Sequence, residues 1–367
     1  MTKGRANLLF VFPDQMQAGA MGVAGHSTVQ TPTLDRLARQ GLRCTKAIAN
    51  CPLCTPSRAT MLSGRYPLGH GAVTNWLPLP TEAPTFGQVL RDAGWRTGYI
   101  GKWHLNGAQR QAGFVPPGPQ RHGFDYWAAF NDGHHYFDGV YFRDDPKPIP
   151  IHGYEPDGQT DLAIDFIEQS AEPWALFVSW GPPHQPYNDV LDAYKALYDP
   201  ASVYVRSNTE GGNRQIVADY YAAITALDAN LGRLLAAVER EGQTRRTLVV
   251  FTTDHGDMLF SHGLREKHQP YEESIRVPLL VRFPGILAEG KVYDGLVTIA
   301  DPFQQRNLVA EPSAPSVLNA CRGELQQWLV RTDDAFLPWR DLLRGKSLQE
   351  LWNTRERVVH EEQEELL

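Results

Sequence analysis

The chain has 367 residues, of which 42% are hydrophobic and 21% charged, with a net charge of −7. That composition excludes a disordered chain, and the scattered basic residues exclude a nucleic-acid footprint. No apolar run approaches the ~20 residues of a membrane span, and four cysteines are too few for a disulfide scaffold of this length.

The first predicted element is the apolar run ANLLFVF, a strand buried on both faces. Pro13 and Asp14 follow at once, too soon for the apolar core of a signal peptide, so the expected address is the cytoplasm. TPTLDRLARQG then reads as a helix, with Pro32 near its start, Leu34, Leu37 and Ala38 inward, and Gly41 as its stop. CTPSRATMLSG is a second helix, with Cys54 just before Pro56 at its first turn, running through Ser57, Arg58, Ala59 and Met61 to the stop at Gly64. TFGQVLRDAG repeats the grammar, with Thr85 as cap, Phe86, Val89 and Leu90 on one face, and Gly94 as stop. WRTGYIG is a strand. Residues 109–151 are rich in Gly, Pro and aromatics and read as an insertion with short strands, either beside a substrate or as a surface hairpin. QTDLAIDFIEQS is a helix and WALFVSW a strand. A long helix follows, with Ile216, Tyr220, Ile224, Leu227, Leu231, Leu234 and Val238 near a 3.6 period. TLVVFTTD and VPLLVRFPG are two more strands.

This alternation argues for an α/β fold with a mostly parallel sheet. In such sheets ligands sit outside the carboxyl ends of the strands. The residues found there are Asp14 and Gln15, Lys102 and His104, His184, and Asp254 and His255. They point to a metal-assisted enzyme acting on an oxyanion. Cys54 adds a sulfur nucleophile at a helix start, where backbone N–H groups and the helix dipole favour anions. Arg58 adds a planar donor fork suited to sulfate or phosphate.

Cys51 and Cys54 also have the C-x-x-C spacing of a redox pair, which needs an exposed thiol of low pKa. A zinc pair would need a second Cys/His pair, and Cys44 with Cys321 does not form one. Cys51 is expected to be a packing residue. His134, His135 and Tyr136 are expected in a solvated loop, and Asp257 in a structural turn.

The run C-T-P-S-R followed by ATMLSGRYP resembles the signature of the formylglycine-dependent type I sulfatases of the alkaline-phosphatase-like superfamily. FVFPDQM, GKWHL, GPPHQPY, TTDHGDML and GLREKHQPYEESIRVPLLVRFPG resemble further segments of that family, in its order. The resemblance covers roughly residues 6–300. It implies an alkaline-phosphatase-like fold, with a mostly parallel central sheet, helices on both faces and here a shortened C-terminal subdomain.

It also implies that Cys54 is converted to formylglycine, so a formylglycine-generating enzyme is an expected partner. Asp14, Gln15, Asp254, His255 and the modified Cys54 would surround one divalent cation, usually calcium. Gln15 and His255 replace the commoner Asp and Asn, which brings magnesium or manganese into range. In the implied reaction a hydroxyl of the aldehyde hydrate attacks sulfur, while Arg58, Lys102 and Lys267 neutralise the sulfuryl oxygens. His184, with Lys267, protonates the departing alkoxide. His104 deprotonates the second hydroxyl, which expels sulfate. The substrate would be a small-molecule sulfate ester of a sugar, aryl or small alcohol. A phosphonate or phosphate ester hydrolase of the same superfamily, and a non-catalytic binder of sulfated ligands, remain alternatives. Oligomeric state is not legible.

The resemblance breaks near Asp301 and Pro302, where a family segment is missing. The expected organisation is a catalytic domain over residues 1–300 and an abbreviated C-terminal segment with a closing helix over 301–367.

Overall fold

The structure is a computed structural model and describes residues 5–108, 113–171 and 173–298. The expected deletion and closing helix, and Cys321, lie outside the described residues.

The strands in chain order are β1 (Asn7–Asp14), β2 (Leu42–Ile48), β3 (Arg96–Lys102), β4 (Tyr126–Phe130), β5 (Val140–Tyr141), β6 (Ile149–Pro150), β7 (Trp174–Pro183), β8 (Thr247–Phe251), β9 (Arg276–Arg282) and β10 (Lys291–Thr298). Eight form one sheet in the order β10-β2-β9-β8-β1-β7-β3-β4. Only β9 runs antiparallel to its neighbours β2 and β8. β2 and β4 are additions to the sequence reading. β5 and β6 pair as a small separate ribbon within the insertion.

The continuous apolar runs follow from burial on both sides. Alternate residues point to opposite faces of a strand, and the two sets enter different cores. Leu9, Val11, Ile100, Leu176 and Val178 join one cluster with the helices Pro32–Arg39, Glu155–Glu168 and Arg214–Arg240. Phe12, Tyr99, Trp127 and Phe177 join the other, with Ala59, Met61 and Leu62 of the helix Cys54–Ser63. Among the described residues no helix is long and apolar enough to cross a membrane.

One helix face differs from expectation. In Phe86–Asp92, Phe86 is 51% and Val89 62% exposed. The inward residues are Gly87, where any Cβ would collide with the His122 carbonyl and crowd the Phe124 ring, and Leu90. Close approach through a glycine rotates the helix away from its most apolar side. The expected cap is present: Thr85 and Gln88 form a reciprocal capping box.

Gly101 serves the sheet and the site together. Its φ is +98°, and a Cβ there would collide with the Ser179 carbonyl oxygen of β7. An alanine must therefore part β3 from β7 beside Lys102. We expect Gly101→Ala to lower stability by about 2 kcal/mol, read from the denaturant midpoint. An unmoved midpoint would show that the two strands separate without cost.

Candidate active site

β8, β1, β7 and β3 are consecutive in the sheet and mutually parallel, so their carboxyl ends open on one edge. Asp14 ends β1, Lys102 ends β3, His184 follows β7, and Asp254 and His255 follow β8. The helix Cys54–Ser63 is pinned over this edge by its first turn. Thr55 Oγ1 donates to the His104 carbonyl at 2.8 Å, and Ser57 Oγ to the Asp254 carbonyl at 2.5 Å. Cys54 is thereby buried at the helix N-terminus, facing the strand ends.

One ligand atom each from Asp14, Cys54, Asp254 and His255 lies within 4.8 Å of the others. Cys54 Sγ stands 3.3 Å from His255 Nε2 and 3.8 Å from Asp14 Oδ1. His255 Nδ1 lies 3.0 Å from the Gly256 carbonyl oxygen. A carbonyl only accepts, so Nδ1 carries a proton and Nε2 is the nitrogen that can offer a lone pair to a cation at the cluster. Two carboxylates and an imidazole presenting its lone pair fit a divalent cation. The Cys54 sulfur occupies the position that an oxygen of a modified Cys54 would take.

Arg58 is expected from the sequence to bind sulfuryl oxygens, and its geometry gives it a different task. Nε donates to Asp254 Oδ2 and Nη2 to Asp14 Oδ2, both at 3.0 Å. Nη1 donates to Ser179 Oγ at 2.7 Å and to the Lys102 carbonyl at 2.9 Å. The planar fork is committed to aligning the two carboxylates. Lys102 Nζ adds a second contact to Asp14 Oδ2, at 3.0 Å. Burial by itself would raise the Asp14 carboxyl, but Lys102, His184 and Arg58 outweigh it and hold the group well below the usual carboxylate range.

Gln15, expected beside the cation, has a committed side chain. Its Oε1 accepts from Lys267 Nζ at 2.6 Å and its Nε2 donates to Asp257 Oδ2 at 2.7 Å. Its backbone N–H donates to Asp254 Oδ1 at 3.0 Å. It thus ties a lysine to a cluster carboxylate. Asp257 is fully buried and also accepts from the Tyr187 hydroxyl at 2.7 Å. Lys267 Nζ lies 2.6 Å from His184 Nε2, and His184 Nδ1 lies 2.8 Å from the Gln185 carbonyl oxygen. Burial and the Lys267 ammonium hold the His184 ring well below the usual imidazole range.

The loop at 132–136 corrects the sequence reading, which places His134 and Tyr136 in solvent. His134 stacks on His184 with ring centroids 3.9 Å apart, and Tyr136 is buried; only His135 is exposed. Asp132, unassigned from the sequence, lies 3.5 Å from Lys102 Nζ and 3.4 Å from His104 Nε2. His104 is buried, and neither ring nitrogen makes a hydrogen bond. A polar loop in a Gly-rich insertion carried no periodicity to mark it, although the H-H-Y run after Asp132 was a compositional signal.

Cys51 is a free, half-buried cysteine. Burial, reinforced by Cys54, pushes its thiol up to about 11. The thiol of the pair that is held low is Cys54, and it is buried rather than exposed as a redox pair requires.

A sequence profile of the family described as Sulfatase matches residues 6–305. The chain is 36% identical over 292 residues to the ulvan-active sulfatase of Formosa agariphila, covering 77% of this chain and 57% of that protein. It therefore spans little more than half the length of that relative. A solved Bacteroides thetaiotaomicron structure, from a locus for metabolism of multiple glycosaminoglycans, superposes with a TM-score of 0.76 at 29% identity, covering 81% of this chain and 71% of the other. A further structure, in complex with its substrate D-glucosamine-2-N,6-O-disulfate, superposes with a TM-score of 0.67 at 25% identity, covering 82% and 75%.

Proposed function

The chain belongs to the sulfatase family, and on that premise we propose that it hydrolyses a sulfate monoester to an alcohol and inorganic sulfate. The observation that carries this reading is the meeting of Cys54, at a helix start, with two carboxylates, an imidazole and two lysines on one strand edge.

Asp14, Asp254 and His255 would hold a divalent cation, calcium in this reading, with Arg58 aligning the carboxylates. That cation, together with a formylglycine hydrate in place of the Cys54 thiol, supplies Lewis acidity, a nucleophilic oxygen and a second oxygen able to expel sulfate. A formylglycine-generating enzyme is the maturation partner this requires.

The remaining steps belong to the side chains. Lys267, with an N–H beyond those given to Gln15 and His184, is a donor for sulfuryl oxygens, and the Lys102 ammonium adds positive charge where theirs grows toward the transition state. The Lys267–His184 pair holds a proton beside the expected leaving-group side, with Lys267 donating to His184 Nε2. His104, with both nitrogens unpartnered and Asp132 beside it, is the base on the opposite side. Sulfated saccharides are the substrate class, supported by the D-glucosamine disulfate held by one structural relative.

Relative kcat/KM for sulfated monosaccharides and aryl sulfates against aryl phosphates and phosphonates tests the reading. We expect sulfate esters to lead by at least about tenfold, or ~1.4 kcal/mol of transition-state binding. A phosphonate preference would assign the chain to ester hydrolysis at phosphorus instead. Metal-loaded protein with a modified Cys54 and no turnover would be a sulfated-ligand binder.

A further inference from the structure

Two imidazoles lie in parallel at the site, and their hydrogen-bond partners dictate their protonation. His184 Nδ1 faces the Gln185 carbonyl at 2.8 Å and so carries the proton. Its Nε2 then accepts from Lys267. His134 repeats the arrangement. Its Nε2 is 3.3 Å from Lys102 Nζ, an ammonium already paired with Asp14, and so accepts. Its Nδ1–H is left to donate to the Tyr136 hydroxyl at 3.1 Å. That hydroxyl donates in turn to the same Gln185 carbonyl, at 3.3 Å.

Both rings therefore hang from one carbonyl oxygen, and each receives a lysine on its other nitrogen. Their planes are 9° apart. A ring fixed at both nitrogens can still rock about the line joining them. The stacked neighbour is what blocks that motion for His184. His134 itself is 30% exposed, so it is a wall of the site as well as a support.

We propose that His134 is a positioning residue for proton delivery: stacked on His184 and bonded to Lys102, it holds the His184 ring, whose tautomer Gln185 and Lys267 set, in the one orientation that presents the Lys267–His184 pair to the leaving group. The proton-delivery part rests on the sulfatase reading, and the positioning part does not.

The test uses full-length, metal-loaded protein labelled with ¹⁵N-histidine. In wild type the His184 ring gives one neutral Nδ1–H signal at pH 7. In His134→Ala that Nδ1–H signal broadens by exchange with water, because one face of the ring opens to solvent and the ring rocks off the Gln185 carbonyl. His134→Phe keeps an aromatic face on His184 and restores the sharp signal, which separates stacking from misfolding. On a sulfate ester, kcat of His134→Ala falls roughly tenfold to a hundredfold, with KM little changed, and the loss grows as the leaving alcohol becomes less acidic. An active wild type whose His184 signal stays sharp in His134→Ala overturns the positioning role alone. A wild type that turns over no sulfate ester sinks the activity reading and the delivery role with it.

Discussion

Cys54→Ala is expected to lower kcat/KM by at least about 10⁴-fold, the scale seen when a covalent nucleophile is removed. Cys54→Ser is the sharper experiment. A serine oxygen at the same helix start still faces the cluster, because the first turn is held by Thr55 and Ser57 to the strand ends. It can therefore take up sulfate once. It lacks a second oxygen to push the sulfate out, so the ester stays. The expected result is a burst of one alcohol per protein without turnover, and a Cys54→Ser peptide heavier by one SO3 unit in the mass spectrum. The wild-type Cys54 peptide should be lighter than its sequence mass by the difference between thiol and carbonyl. Multiple turnovers by Cys54→Ser, or an intact thiol in active wild type, would refute the aldehyde.

Chelation is expected to abolish activity and to lower the melting temperature by several degrees. Asp14 and Asp254 are both fully buried and lie against Cys54 and His255, with Arg58 bonded to both carboxylates and Lys102 to Asp14. An ion that binds only the folded state stabilises it by about 2.7 kcal/mol at a hundred times its Kd. Calcium should restore both readouts, with magnesium and manganese as comparisons. Arg58→Lys keeps a positive charge but loses the fork that spans the two carboxylates. Residues that orient metal ligands typically contribute 10–100-fold to affinity, so the apparent calcium affinity of Arg58→Lys should fall in that range. Since Arg58 makes no contact left over for substrate, its KM for the ester at saturating calcium should move little. Full activity after exhaustive chelation would remove the cation from the reaction. An Arg58→Lys variant with normal calcium affinity and a raised KM would return Arg58 to sulfate binding.

Much of the site was legible because parallel strands end where ligands bind. Asp14, Lys102, His184, Asp254 and His255 each follow an apolar run, and the sheet makes four of those runs consecutive neighbours. Cys54 was legible because Pro56 in a first turn and Gly64 as a stop mark a helix whose start lies at the cysteine. The failures have two causes. Phe86 and Val89 satisfy the helical period yet face outward, because contact through Gly87 is decided by His122 and Phe124, far along the chain. Strands β2 and β4 were missed because Arg43, Thr45 and Lys46, and the pair Ala128–Ala129, weaken the apolar pattern that marked the others.

The sequence by itself determined the alternation of strands and helices, the polar residues at the strand ends and the cysteine at a helix start. These follow from period, caps and apolar runs, which act over a few residues. Only the tertiary structure decided what those residues do to one another. It committed Arg58 to two carboxylates drawn from β1 and β8, turned Gln15 toward Lys267, and laid His134 on His184 across 50 residues of chain. The physical reason is that a buried charge or hydrogen-bond donor must find a partner wherever the fold supplies one, and that choice is made in space.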